Sequence, residues 1–246
     1  MTRRSKPVSI SINSDMGESL GIHSFGNDDG LLELVDTVNI ACGFHSGDPS
    51  GIHETVIKAA EAEVTIGAHP GLPDIAGFGR REMKLDADEV RDIVLYQVGA
   101  LGGFLKAEGL ELHHIKPHGS LYGMLARDET LMEAVCDVAE VYGVPVFGMA
   151  GTAHELVTSR RGVPFVSEVY VDLDYRSDGT LIIARRPQRT PLDKVEATTR
   201  RALESSTVLT ESGELLPVIF ASICVHSDTP NAIDVARVVR SVMSEY

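Results

Sequence analysis

The sequence predicts an α/β fold in which seven parallel strands close into a (β/α) barrel. Two observations carry this expectation. First, short apolar runs of strand character alternate with helix-periodic segments along the whole chain, the mark of βαβ units and a parallel sheet. Second, five apolar runs end in polar, Gly-rich sequence: Asn13-Ser14-Asp15-Met16-Gly17-Glu18, Cys42-Gly43-Phe44-His45-Ser46-Gly47-Asp48, Gly67-Ala68-His69-Pro70-Gly71, His114-Ile115-Lys116-Pro117-His118-Gly119 and Cys224-Val225-His226-Ser227-Asp228. Alternation alone also fits an open sheet covered on both faces. Polar residues at the C-terminal ends of five strands converge most naturally if the sheet closes.

The elements follow in order. Residues 8–14 alternate Val, Ile and Ile against Ser and Asn, the period-two pattern of a strand. A Gly- and Asp-rich loop occupies 17–30, a short helix 31–36 and a second strand 37–42. Asp48 is placed to cap a helix through Glu63, with Pro49 in its first turn. A third strand at 64–68 leads into a loop at 70–84, then a long helix at 86–108 that Gly99, Gly102 and Gly103 are expected to weaken or bend. The fourth strand, 112–116, is followed by helices over 120–142, a fifth strand at 144–149 and a sixth at 164–171. A small hairpin at 174–186 turns near Ser177-Asp178-Gly179. A helix at 191–206, a hairpin-like stretch at 208–218, a last strand at 219–225 and a helix from Thr229-Pro230 to Met243 complete the chain. No composition break marks a linker, so residues 1–246 are expected to form a single (β/α) barrel domain.

Composition narrows the function. The chain has 246 residues, 43% of them hydrophobic, enough for a substantial core. Its formal net charge of −14 argues against non-specific nucleic-acid binding and against an anionic membrane surface, while leaving room for a small anionic substrate held by a local cation. No apolar run approaches the roughly 20 residues of a membrane span. The basic start, Met1-Thr2-Arg3-Arg4-Ser5-Lys6-Pro7, lacks the apolar stretch of a signal peptide, so a cytoplasmic location is expected. Cys42, Cys136 and Cys224 form no C-x-x-C pair and read as buried thiols rather than disulfides or a zinc knuckle.

The chemistry is expected at the strand ends. Alternating faces put Asn13 with Asp15, Lys116 with His118 and Cys224 with His226. A barrel mouth would then gather Asp15, His45, His69, Lys116, His118, His226 and Asp228. Such a group suits acid–base chemistry, since imidazole titrates near neutrality. It also suits a Zn- or Fe-type metal, with Asp15, His45 and His69 as ligands, although no H-x-x-x-H or H-E-x-x-H spacing supports that locally. Glu18 adds a further carboxylate. Arg80 and Arg81 are candidate anchors for a substrate carboxylate or phosphate, and Glu168 is a candidate supporting partner. There is no P-loop ending after Gly77-Phe78-Gly79 and no G-x-G-x-x-G after the first strand, so no standard nucleotide site is read in this chain.

Six motifs in register then resemble the LamB/YcsF family: Asn13-x-Asp15-x-Gly17-Glu18, Asn39-Ile40-Ala41-Cys42-Gly43-Phe44-His45-x-Gly47-Asp48-Pro49, Gly67-Ala68-His69-Pro70-Gly71-x-Pro73-Asp74, Gly77-Phe78-Gly79-Arg80-Arg81, Lys116-Pro117-His118-Gly119-x-Leu121-Tyr122 and Cys224-Val225-His226-x-Asp228-Thr229-Pro230. They span about residues 8–243. The resemblance implies a seven-stranded barrel akin to the glycoside hydrolase/deacetylase superfamily. It implies hydrolytic opening of the cyclic amide 5-oxo-L-proline to L-glutamate, as in the A subunit of an ATP-dependent 5-oxoprolinase. ATP would be used together with separate B and C subunits, which activate the lactam. Ser227 stands where the family usually carries Gly and is expected to narrow the cavity slightly.

The expected roles are Asp15 as general base or metal ligand, His118 as proton shuttle and Lys116 as oxyanion or carboxylate partner, with His45, His69 and His226 orienting these groups or binding a metal. Lys116→Met or His118→Ala is expected to abolish turnover without unfolding. The competing readings are a self-sufficient metal-dependent deacetylase or amidase, and a non-catalytic subunit that binds the lactam or regulates a partner.

Overall fold

A computed structural model describes residues 10–184 and 186–246; Met1–Pro7, the first two residues of the predicted opening strand and Arg185 lie outside the described residues. The elements are β1 (Ser11–Met16), α1 (Asp28–Leu32), β2 (Thr37–Ala41), α2 (Pro49–Glu61), β3 (Thr65–His69), α3 (Ala87–Ala107), β4 (His114–Ile115), α4 (Gly119–Arg127), α5 (Glu129–Tyr142), β5 (Val146–Gly148), α6 (Ala153–Arg161), β6 (Phe165–Tyr170), β7 (Asp174–Tyr175), β8 (Leu181–Ile182), α7 (Leu192–Ser205), β9 (Thr207–Leu209), β10 (Leu215–Pro217), β11 (Ser222–His226) and α8 (Ala232–Met243). Seven strands form a closed barrel in the order β1-β11-β6-β5-β4-β3-β2, with every neighbouring pair parallel. The hairpins β7-β8 and β9-β10 are separate two-stranded additions.

Alternation along each strand sorts its side chains. Ile12, Met16, Val38, Ile40, Ile66, Ala68, Ile115, Val169, Ile223 and Val225 are buried among the hydrophobic residues of the core. The other face of each strand points into the barrel. Branched aliphatic layers usually fill such an interior. Here the filling is polar and hydrogen-bonded. Asn13 Nδ2 donates to Glu168 Oε1 and to Ser222 Oγ, each at 2.8 Å. Asn39 Nδ2 donates to Asn13 Oδ1 at 2.9 Å and to Asp15 Oδ1 at 2.8 Å, and its own Oδ1 accepts from His114 Nε2 at 2.5 Å. Gly67 makes this possible, because a Cβ there would collide with the His114 ring. Burying so many polar groups is tolerable only because each finds a partner.

Local chemistry explains where the elements depart from expectation. The first helix starts at Asp28 rather than at 31, with Asp28 and Asp29 in the first turn where the helix dipole favours anions. The glycines do not interrupt the third helix. Its 21 residues run unbroken from an Asp86/Glu89 capping box, and Val90, Val94, Val98, Leu101 and Leu105 make a buried stripe at helical spacing. That stripe outweighs a glycine cost of about 1 kcal/mol per residue. The opening strand runs past Ser14 to Met16, so Asp15 sits in register, opposite Asn39 on one side and His226 on the other. The last strand begins at Ser222, and the closing helix at Ala232.

Candidate active site

Each catalytic candidate stands at or just past the C-terminal end of a barrel strand. Asp15 lies near the end of β1, His69 ends β3, Lys116 and His118 follow β4, and His226 ends β11. Glu18 and His45 lie on the loops after β1 and β2. All seven are buried or nearly so, and Lys116 is 2% exposed.

Lys116 crosses the barrel. Its Nζ lies 3.0 Å from Asp15 Oδ1, Asn13 Oδ1 and Cys224 Sγ, and 3.4 Å from Glu168 Oε1. Burial alone would strip the proton, but the carboxylate of Asp15, with Glu168 and the hydrogen bond to Cys224 Sγ, outweighs it and holds the ammonium well above its ordinary range. Lys116 is thus a fixed cation, not a base. Burial likewise opposes charge on Asp15, yet His69 and Lys116 hold its carboxyl well below the usual range. Cys224 is a neutral thiol, pushed well up by burial despite Lys116. Glu168, which also accepts from Tyr170 Oη at 3.1 Å, is raised by burial against the pull of Lys116.

A second group adjoins the first. His69 Nδ1 donates to the Lys116 carbonyl at 2.7 Å, and His118 Nε2 donates to the Phe78 carbonyl at 2.8 Å. The remaining nitrogens, His69 Nε2 and His118 Nδ1, face each other at 3.0 Å. Glu18 Oε1 is 3.2 Å from His45 Nε2 and 3.5 Å from His118 Nδ1, and the His45 and His118 rings stack at 3.7 Å. Burial holds the His45 and His118 imidazoles well below their ordinary range, with neighbouring imidazoles adding to it. Burial, with Asp228 and Asp15, raises the Glu18 carboxyl. Glu18, His45, His69 and His118 bring ligand atoms within 4.8 Å of one another, a set able to hold a metal ion. The expected trio of Asp15, His45 and His69 is therefore divided. Asp15 groups with Cys224 and His226, and its Oδ2 lies 3.4 Å from His69 Nε2.

These residues floor a cavity of about 270 Å³, lined by Asp15, His69, Lys116, His118, Tyr170, His226, Asp228 and the β7-β8 hairpin. That is near the small end of ligand pockets, suited to a small molecule. Arg80 reaches it and pairs with Asp228 at 2.8 Å. Arg81 does not. It is paired with Asp74 and lines a neighbouring cavity of about 710 Å³. Asn13 lies beneath the floor, in the polar filling. Ser227, expected to narrow the cavity, is not among its lining residues; its buried Oγ sits without a partner beside the position a Gly26 side chain would take.

Asp172, which is not among the residues expected from the sequence, lies behind His226. Its carboxylate accepts from His226 Nδ1 at 3.0 Å and from the His226 backbone N–H at 2.8 Å. Burial opposes charge on His226, but Asp172 and Asp15 prevail and raise its pKa. A carboxylate just past a strand end, after Tyr170 and Val171, is the same signal that marked Asp15. His114 and Asn39 were missed differently, being polar residues inside apolar runs. No helix among the described residues is long and apolar enough to cross a membrane.

Comparison with known proteins agrees with this geometry. The chain is 45% identical over 239 residues to the lactam utilization protein lamB of Emericella nidulans, covering 96% of this chain and 94% of that protein. It is 42% identical over 237 residues to the 5-oxoprolinase A subunit of Bacillus subtilis, covering 94% and 91%. The crystal structure of the lactam utilization protein from Thermus thermophilus superimposes with a TM-score of 0.87 at 38% identity, covering 96% of each chain. The sequence profile of the LamB/YcsF family matches residues 10–246. With barrel, strand-end motifs and relatives in agreement, the chain belongs to the LamB/YcsF family.

Proposed function

We propose that this chain, as a single barrel domain, is the A subunit of an ATP-dependent 5-oxoprolinase and opens 5-oxo-L-proline to L-glutamate. The observation that carries the reading is the buried Lys116–Asp15 pair flooring a small cavity, in a chain about 40% identical to proteins named as the A subunit of 5-oxoprolinase. In this reading ATP is spent by partner subunits of the B and C type, in the cytoplasm, and the activated lactam is hydrolysed here.

The residues divide the work as follows. Water supplies the oxygen that bonds to the lactam carbonyl carbon and the proton that ends on the ring nitrogen. The ring C–N bond breaks, giving the glutamate amine, and the phosphoryl group that activates the lactam leaves as inorganic phosphate. Lys116 keeps a positive charge where the carbonyl oxygen becomes negative. Asp15 is held ionised, with Oδ1 bound to Lys116 and Asn39 and Oδ2 toward His69 and His226. Its role is to orient the water and the two imidazoles. The proton shuttle moves from His118 to His226. His118 has committed Nε2–H to Phe78 and turns Nδ1 toward His69. His226 lines the cavity with Asp172 behind it, an arrangement suited to giving a proton to the leaving nitrogen. Arg80 and Asp228 flank the substrate.

The test is 5-oxoproline-dependent glutamate release by the purified chain, alone and with its B and C partners, ATP and Mg²⁺. Glutamate only in the complete mixture is the expected result. Release by the chain alone from an N-acyl substrate, with none from 5-oxoproline in the mixture, would replace this reading with a self-sufficient amidase.

A further inference from the structure

We propose that Glu18, His45, His69 and His118 hold one divalent metal ion of the zinc class at the wall of the cavity. Their surroundings fix two imidazole tautomers. A backbone carbonyl can only accept, so His69 Nδ1 and His118 Nε2, at 2.7 and 2.8 Å from the carbonyls of Lys116 and Phe78, both carry hydrogens. Where both rings are neutral the other two nitrogens carry lone pairs, and Asp15 Oδ2 stands 3.4 Å from the one on His69. Those two lone pairs face each other across 3.0 Å, buried. Two acceptors at that distance repel unless a positive centre lies between or beside them.

Glu18 and His45 complete a set of donors around that centre. Glu18 Oε1 is 3.5 Å from His118 Nδ1 and 3.2 Å from His45 Nε2. Ligands about 2.0–2.2 Å from a tetrahedral zinc stand roughly 3.3–3.5 Å apart, close to these separations. Three imidazoles and one carboxylate, with no thiolate, are a borderline nitrogen–oxygen set that suits zinc and its neighbours better than magnesium or calcium. The outer nitrogens of His69 and His118 already bind carbonyls, as metal-ligating imidazoles characteristically do. The four side chains are 1–3% exposed, so the cage is pre-formed. His69 and His118 also line the cavity, which gives an ion a route in and a face toward a bound small molecule.

This site does not depend on which lactam is the substrate, because metal uptake is read without turnover. The full-length chain is stripped with chelator and titrated with Zn²⁺ by calorimetry. Metal content is measured on untreated protein, and Co²⁺ is added to stripped protein to read its visible absorption. The expected result is one Zn²⁺ per chain and the intense visible bands of a low-coordinate, nitrogen- and oxygen-ligated Co²⁺. Glu18→Gln and His118→Ala, checked for folding by circular dichroism, are expected to weaken Zn²⁺ binding at least tenfold. Folded wild-type chain that takes up no Zn²⁺, or Co²⁺ spectra of a purely hydrated ion, would overturn the site and leave a single shared proton between His69 and His118. Unchanged affinity in both folded variants would overturn the ligand set.

Discussion

Lys116 Nζ and Asp15 Oδ1 meet 3.0 Å apart although their strands lie on opposite sides of the barrel. β1 is three neighbours from β4 in one direction and four in the other. The pair therefore spans the mouth and ties the two halves of the sheet with a charge. Removing one partner of such a buried pair leaves an uncompensated charge.

Lys116→Met is accordingly expected to lose both activity and stability. Turnover in the complete enzyme should fall at least about 100-fold, the scale of a lost transition-state donor. Stability should fall by about 3–5 kcal/mol, because Asp15 and Glu168 are left buried without their cation. The variant is still expected to fold, with a smaller margin of stability. Lys116→Met combined with Glu168→Gln removes one orphan charge and should recover part of the stability but none of the activity. Denaturant melts and glutamate release on both variants check this. Activity restored in the double variant would make Lys116 purely structural.

His226 gives the pH dependence. Its folded pKa is raised because the Asp172 and Asp15 carboxylates outweigh burial. If the protonated ring supplies the leaving-group proton, turnover is high below that raised pKa and falls as pH rises through it. Asp172→Asn removes the strongest support for the charged ring, so the alkaline limb of kcat should move toward acid. The same variant should lose stability at low pH, where wild type keeps the charged pair, and lose less at high pH. A pH profile of kcat on the complete enzyme decides it, an unmoved limb removing His226 from the role.

Most of the fold could be read from the sequence because the barrel is built by local rules. Period-two runs, Asp48 with Pro49, and the turn at Ser177-Asp178-Gly179 each name their element without reference to the rest. Asp15, Lys116, His69 and His226 were legible for the same reason, each interrupting an apolar pattern at its end. Depth was not legible. Lys116 reads as a strand-end residue facing a barrel mouth, and closure of the sheet buries it among Asn13, Asp15 and Cys224. Pairing across the barrel was equally hidden, since Asn39 and His114, 75 residues apart, meet only once register is set. Arg81 shows the converse, because its motif neighbour Arg80 enters the site while Asp74 captures Arg81.

Asp28 offers a stability test outside the chemistry. Burial pushes its carboxyl up to about 6, against a hydrogen bond from the Gly17 N–H that lowers it. A raised acid binds its proton more tightly in the folded state, so its penalty is absent below about pH 4, grows as pH rises, and is complete above about 6. Asn in its place keeps an oxygen for Gly17 and adds a donor where Asp28 Oδ1 and Ser227 Oγ now lack partners. Asp28→Asn should therefore stabilise at neutral pH, by at most about 3 kcal/mol, and make no difference near pH 4. Thermal melts of both proteins across that range check the sign. Destabilisation at pH 7 would refute it.

Gly71 is where backbone must come closest to the site. A Cβ on it would run into His45 Nδ1 and the His45 Cβ. The backbone cannot retreat, because Gln97 clamps it from both sides, accepting from the Gly71 N–H at 3.0 Å and donating to its carbonyl at 2.8 Å. Gln97 is itself fully buried on α3, so the long helix fixes the loop after β3 against the His45 ring. Gly71→Ala should cost about 1–3 kcal/mol, the scale of overpacking a dense interior. It should also displace His45 from Glu18, lowering Zn²⁺ affinity together with turnover. Cutting the clamp with Gln97→Ala costs stability alone, through the unpaired Gly71 amide and carbonyl, but lets the loop shift. The two changes together should then cost less than their sum, since the second relieves the collision made by the first. A double-mutant cycle by urea unfolding reads the coupling, and strict additivity would show that Gln97 does not hold Gly71 in place.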